Sequence, residues 1–530
     1  MTTTPRASGS ATGPSVNSAL SSTASSSTID AVLRRSAARF PDRVALTFAD
    51  RRWTYAALDS AVDRVAHMLS GQGLEDKARV AAYGVNSDAY LIAFLATSRA
   101  GFTHVPINYA LTGGELEYLL TDSGSSLVLV DPAQAPTLTE VLQTLAGVRS
   151  LALLPHAGEP ADGTVLGSAL DDSPCAVMQS PATGTDLAQL LYTSGTTSRP
   201  KGAMMTHSAL IHEYVSCILA LDFTADDEPL VTMPLYHSAA MHVFALPYLS
   251  LGATVHLMAA PDIPEILRRI EVDRIGSLFL APTVWVPLAS HPDLESRDLS
   301  SLRKAQYGAS IMPVTVLQRL RGRYPQLGFY NCFGQSEIGP LASVLRPEEH
   351  EARPASAGRP VFFVEARVVD ETGAEVADGD RGEVVYRSPQ LCQGYWNKPD
   401  ATAEAFRDGW FHSGDLVVRD GEGFIEVVDR IKDVINTGGV LVASREVEDA
   451  VYQDDRVAEV AVIGTPDAKW IEAVTAVVVL RDGAHASESE IIEGTRAHLA
   501  PFKMPKRVVF VDELPRNQSG KLLKRELRQS

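Results

Sequence analysis

The sequence predicts an α/β protein with a large N-terminal body of layered α/β subdomains, a β-rich subdomain, and a small C-terminal α+β lid. Three observations predict it. Short apolar strands alternate with helix-period segments as far as Val361, period-two runs between Gly/Asp turns follow, and a charged break at 429–433 precedes a compact last unit. Strands that alternate with helices in this way form largely parallel sheets, because each crossover carries the chain back over one face.

The elements follow in order. The chain up to about Thr28 is rich in Ser, Thr, Ala and Gly, and Arg6 is its only charged side chain. Such a segment buries too little apolar surface to fold and lacks the apolar centre of a secretory signal, so 1–28 is expected to be a disordered tail. Ile29-Asp30-Ala31-Val32-Leu33 opens an amphipathic helix. Strands are expected at 79–83, 127–130, 150–154, 187–191, 276–280 and 328–332, with helices at 88–101 and 263–270. The β-rich part should contain strands at 363–370 and 383–387. After Asp429-Arg430-Ile431-Lys432-Asp433 come a helix at 444–452, strands at 457–463 and 473–480, a helix at 488–499 and a strand at 507–511. The division is therefore a body over 29–428, a link over 429–433 and a lid over 434–530.

Composition narrows the function. With 530 residues, 45% hydrophobic and 21% charged, the chain has the make-up of a globular enzyme with more than one core. A net charge of -18 argues against non-specific nucleic-acid binding and against an acidic membrane surface. No apolar run approaches the ~18 residues that span a bilayer, so no membrane insertion is expected. Cys175, Cys217, Cys332 and Cys392 are widely spaced, with no C-x-x-C pair, which suggests reduced thiols and a cytoplasmic location. From Lys503 onward eight basic residues face three acidic ones; this is either a solvated surface or a lid that closes over phosphates.

The most informative segment is Tyr192-Thr193-Ser194-Gly195-Thr196-Thr197-Ser198-Arg199-Pro200-Lys201-Gly202. Backbone N–H groups and hydroxyls in such a loop can wrap anionic oxygens while lysine adds a positive charge. By composition alone it is also compatible with an ordinary turn, and it is not a Walker A loop. Further clusters are Phe333-Gly334-Gln335-Ser336-Glu337, Trp410-Phe411-His412-Ser413-Gly414-Asp415-Leu416 and Leu514-Pro515-Arg516-Asn517-Gln518-Ser519-Gly520-Lys521. Singly, Glu337 reads as a solvated carboxylate, Asp415 as a turn residue and Lys521 as a surface lysine.

Together and in this order, these motifs resemble those of the adenylate-forming superfamily, which includes acyl-CoA and aryl-CoA synthetases. The likeness runs from about Ile29 to the C-terminus. Ser198 stands where that family usually has glycine, and Ser336 where it usually has threonine.

The resemblance implies a mobile lid and a set of roles. Thr193, Ser194, Gly195, Thr196, Thr197 and Lys201 would bind ATP phosphates, and Gly308, Ala309, Ser310, Phe333, Gly334 and Gln335 the rest of the nucleotide. Asp415 would accept both ribose hydroxyls, with Arg430 beside it. Ser336 would meet phosphate, Glu337 would hold Mg²⁺, and Lys521 would bridge the carboxylate and α-phosphate. Lys432 would be the hinge, and Gly438 and Gly439 the loop that admits CoA. His237, Gly308, Pro340 and Leu341 would line the acyl pocket.

The reaction implied is attack of a carboxylate on MgATP to give an acyl-adenylate and pyrophosphate, then displacement of AMP by the CoA thiol. None of the pocket residues supplies a cation for an α-amino group, so a medium-chain fatty acid or an arylalkanoic acid fits. The alternative is an enzyme that passes its activated acid, even an inorganic one such as nitrite, to an amine or a carrier protein. It draws on Val440-Leu441, an apolar pair where relatives often carry Glu-Asn. Met241, Phe244, Ala245 and Tyr248 recur at helical spacing, a core pattern more than a tunnel wall.

Overall fold

Near the start of the described residues, the Thr28 hydroxyl accepts the Ala31 N–H and caps the helix Ile29–Arg39. The computed structural model describes residues 27–193, 199–308, 312–438, 440–467, 469–516 and 522–528. The first helix is pinned by charge. Arg99, fully buried, reaches Asp30 at 2.5 Å and Asp63 at 3.0 Å and also pairs with Asp59, the company a buried guanidinium requires.

Among the described residues, two large sheets build the body. One runs, in spatial order, Arg149–Ala152, Ser125–Val130, Arg79–Tyr83, Thr103–Ile107, Leu187–Thr193 and Lys201–Thr206, parallel except for the last strand. The other has nine strands; its parallel centre includes Pro229–Val231, Ser277–Leu280, Lys304–Gly308 and Gly328–Gly334. The helix Asp88–Arg99 is buried at every position, as an element packed on all sides must be. Its residues accordingly show little amphipathic alternation.

The expected elements are present with shifted ends. The strand expected at 150–154 is Arg149–Ala152, and that expected at 363–370 is Glu365–Val369. The helix expected over 488–499 stops at Gly494 and continues as a 3₁₀ turn over Thr495–Ala497; glycine is a poor helix interior. Met241, Phe244 and Tyr248 are core, on a π-helix Ala239–Ala245 and the α-helix Leu246–Leu251 that follows.

The β-rich part is a five-stranded antiparallel sheet that contains Arg381–Arg387, Trp410–Arg419 and Ile425–Arg430. The last unit pairs Val457–Asp467 with Ile471–Leu480 and adds Arg507–Phe510 in parallel. Its own apolar core includes Val447, Val462, Val474 and Ile491.

Candidate active site

Two sheets deliver the site. The hairpin Leu187–Thr193 and Lys201–Thr206 brings Thr193 opposite Lys201, at the two ends of the phosphate-type loop. In the neighbouring sheet, Gly308 and Gly334 end the adjacent parallel strands Lys304–Gly308 and Gly328–Gly334. Ligands in α/β proteins collect outside such carboxyl ends. At Gly308 a side chain is excluded, because a Cβ would lie 2.3 Å from the Cys332 carbonyl oxygen.

The loops join at Glu337. Its carboxylate, 6% exposed, accepts the Thr193 hydroxyl at 3.2 Å and the Tyr395 hydroxyl at 3.0 Å, both on Oε1. The Lys201 ammonium sits 5.1 Å from the Tyr395 ring centroid, within cation–π range. Burial and the Glu337 charge push the Tyr395 phenol well above its ordinary range, so it stays protonated and donates. Ser336 Oγ lies 3.1 Å from Ser238 Oγ, next to His237.

A second group forms around Ser413. Its carbonyl accepts from Gln335 Nε2 at 3.4 Å and Arg430 Nη1 at 2.9 Å. Arg430 Nε lies 2.8 Å from Asp415 Oδ1, and Asp415 is 4% exposed. The two are register partners on neighbouring strands, so their pairing follows from the sheet. Gln335 thus ties the segment of Ser336 and Glu337 to the segment of Asp415.

The acyl-pocket candidates lie close by. Gly339 has φ +112°, and a Cβ there would meet Glu213 at 2.8 Å. Leu341 N–H donates to Glu213 Oε1 at 2.8 Å, and Gln390 Nε2 donates to Oε2 at 2.6 Å. Glu213 is fully buried, and desolvation pushes its carboxyl well above the usual range. Beneath Pro340 and Leu341 there is therefore a rigid polar clamp. Lys432 is on the 3₁₀ turn Ile431–Asp433. Gly438 has φ +66° and donates to the Trp470 carbonyl at 2.6 Å.

Ser194, Gly195, Thr196, Thr197, Ala309, Ser310, Gly439 and Lys521 lie outside the described residues. Sequence reasoning passed over Tyr395, Glu213, Gln390 and Ser238. Tyr395 stands in Gly394-Tyr395-Trp396, an aromatic pair that reads as packing, and its polar partners are remote in sequence.

A loop closed by a lysine, a buried carboxylate beside it and an Asp–Arg pair on an adjoining sheet are the features expected of an acid-activating enzyme that uses ATP. The chain belongs to the AMP-binding enzyme family: the family model matches residues 33–396, and that of the AMP-binding enzyme C-terminal domain matches 446–521. It is similar to a feruloyl-CoA synthase from an Amycolatopsis species, 39% identical over 93% of this chain and 97% of the relative. An indoleacetate–CoA ligase from Aromatoleum aromaticum is 34% identical over 92% of this chain and 95% of that protein. In structure it resembles ATP-bound MatB from Rhodopseudomonas palustris, with a TM-score of 0.86 at 32% identity, covering 95% of this chain and 98% of the other. The protein is an AMP-forming acid–CoA ligase that works through an acyl-adenylate. Among the described residues no helix is long and apolar enough to cross a membrane.

Proposed function

We propose that the acid is an arylalkanoic or closely related aryl-substituted carboxylic acid, and that the residues above divide the reaction as follows. Thr193 and Lys201, with Ser194–Thr197 between them, hold the ATP phosphates, and Asp415 with Arg430 holds the ribose. Gly308 and the Phe333-Gly334-Gln335 turn flank the nucleotide.

Glu337 suits a hard cation shared with phosphate. It is one buried carboxylate, its Oε1 is already engaged by two hydroxyls, and no cluster of three metal-ligating side chains exists among the described residues. Magnesium in such sites takes one or two carboxylates plus substrate oxygens. When bound with ATP it would neutralise phosphate charge.

The carboxylate oxygen of the acid attacks the α-phosphorus, the bond to pyrophosphate breaks, and Lys521 offsets the charge that builds there. The CoA sulfur then attacks the acyl carbon and AMP departs. A rotation of 434–530 about the 429–433 link, centred on Lys432, exchanges the Lys521 segment for the loop at Gly438 and Gly439 between these steps.

The observation that carries the reading is that Thr193 and Tyr395 meet at Glu337 while Lys201 lies against the Tyr395 ring. Two facts support the aryl assignment. The relative named for feruloyl-CoA is 39% identical over 93% of this chain, against 34% and 31% for two relatives named for fatty acids. The small side chains Ser238, Ala239 and Ala240 follow His237 where the chain meets Ser336. ATP–pyrophosphate exchange across aryl, fatty and inorganic acids tests it; the fastest exchange is expected with an aryl acid, and a medium-chain fatty acid that exchanges faster overturns the assignment. One observation favours a second acceptor. Val440 and Leu441, 45% and 59% exposed, put bare apolar surface next to Gly438. An amine in place of CoA in the same assay, with amide as product, tests that reading.

A further inference from the structure

The segment 392–396 is stitched to both halves of the phosphate site. Met204 N–H donates to the Gly394 carbonyl at 2.9 Å, Gln393 N–H to the Met204 carbonyl at 2.9 Å, and Trp396 N–H to the Gly202 carbonyl at 2.8 Å. These bonds lay the segment along the strand that starts at Lys201, as an added strand would lie. On its other side, Cys392 N–H donates to the Glu337 carbonyl at 2.7 Å. The segment is also held locally: Tyr395 N–H donates to Thr402 Oγ1 at 2.9 Å, and a Cβ on Gly394, at φ +122°, would collide with the Thr402 side chain. Tyr395 is thus presented from a backbone fixed to the lysine strand and to the carboxylate turn.

We propose that Tyr395 is a positioning residue that couples the two charges of the phosphate site, its ring seating the Lys201 ammonium and its hydroxyl aligning the Glu337 carboxylate toward the metal. The two functions use different atoms. The ring face is 5.1 Å from the ammonium and attracts it through its quadrupole. The hydroxyl donates to Oε1 at 3.0 Å, alongside Thr193. With two donors on one oxygen, the carboxylate plane is set and Oε2 is turned to the remaining side. The one phenol thus contacts both the lysine and the carboxylate, the first through its ring face and the second through its hydroxyl.

This inference rests on the reading of Lys201 and Glu337 as phosphate and metal groups, and one experiment separates the two. Binding of α,β-methylene-ATP, which cannot be cleaved at the reacting bond, is measured by calorimetry in excess Mg²⁺ and in EDTA, and the ratio of the two dissociation constants gives the metal's benefit. Tyr395→Phe keeps the ring and loses the donor. Its metal benefit is expected to fall about tenfold, the scale of a hydrogen bond to a charged group, while the constant in EDTA stays within twofold of wild type and so reports an intact site. Tyr395→Leu loses the ring as well and is expected to weaken binding in EDTA by a further two- to fivefold. Glu337→Gln should abolish most of the metal benefit. If Glu337→Gln reduces it and Tyr395→Phe does not, the role of Tyr395 is overturned alone. If Glu337→Gln leaves it unchanged, the reading of the site falls, and the inference with it.

Discussion

Replacing Asp415 by asparagine removes one charge from the nucleotide site and little else, since the side chains have nearly the same shape. Asp415 is 4% exposed and lies 2.8 Å from Arg430 Nε. A carboxylate in this position can accept both hydroxyls of a ribose, and charge-assisted bonds of that kind contribute about 1.5–3 kcal/mol. At about 1.4 kcal/mol per decade, ATP affinity should fall roughly 10- to 150-fold. The same change leaves Arg430 without its ionic partner, so a loss of stability is also expected and is read separately from a melting curve. Calorimetry with ATP and with pyrophosphate distinguishes the causes. Pyrophosphate has no ribose and should bind within twofold of wild type, and the KM for the acid should be unchanged. A folded variant with unaltered ATP affinity refutes the ribose assignment. Equal losses for ATP and pyrophosphate refute it too, because they place the defect in the phosphate site.

Four further outcomes follow from the sequence and the structure together. Burial holds the Asp131 carboxyl up at about 6, above the ordinary aspartate value, so the folded state binds a proton the unfolded state releases, and stability is lost as pH rises from about 4 to about 6. Asp131→Asn keeps an oxygen for the Val85 N–H and should gain stability over wild type by up to about 3 kcal/mol above pH 6, an advantage that denaturant melts should find absent below pH 4. Lys521→Ala should lower acid-dependent pyrophosphate exchange by about 10²–10³ while a supplied acyl-adenylate still reacts with CoA; normal exchange removes the assignment. Lys432→Pro fixes φ near -65° and should spare pyrophosphate exchange while thioester formation falls, whereas equal loss of both means misfolding. Val440→Glu with Leu441→Asn should raise CoA thioester formation if the apolar pair impairs it, and an unchanged rate shows that the pair serves CoA as it stands.

How far the sequence was legible depends on the range of the interaction. The strand Arg79–Tyr83 is read correctly to the residue, and the helix Asp88–Arg99 nearly so, because Ser87 caps its start through the Tyr90 N–H and the apolar run dictates the rest. The lateral order of the sheets is not legible. Val44–Phe48 pairs with Val255–Leu257, and nothing within either strand names the other. Site residues divide in the same way. Lys201, Glu337 and Asp415 stand in runs of distinctive chemistry, so the sequence singles them out as candidates. Tyr395 meets Glu337 across 58 residues, and Glu213 meets Gln390 across 177. Their partners exist only in the folded chain. The π-helix Ala239–Ala245 is a further case, because apolar residues at helical spacing look alike in an α- and a π-turn.

The strand Ile425–Arg430 makes contacts both to the candidate nucleotide site and to the C-terminal unit. Successive residues of a strand point to opposite faces, and the last two here serve different domains. Arg430 turns to Ser413 and Asp415 in the nucleotide site. Asp429, 7% exposed, turns the other way and accepts the N–H of Ser444 at 2.6 Å and its hydroxyl at 2.7 Å. Ser444 in turn receives Lys524 at 2.6 Å, and that ammonium also pairs at 2.7 Å with the partly buried Glu448. A rotation that withdraws Ser444 strips a nearly buried carboxylate of two donors, a large penalty unless water or other donors replace them. The arrangement seen here is therefore held by a tether adjacent in sequence to the ribose pair. Arg430 N–H donates to Asp429 Oδ1 at 2.7 Å, so the backbone that positions Arg430 also carries the tether. A displacement of Arg430 would therefore be felt at Asp429, whose carboxylate holds Ser444 of the C-terminal unit.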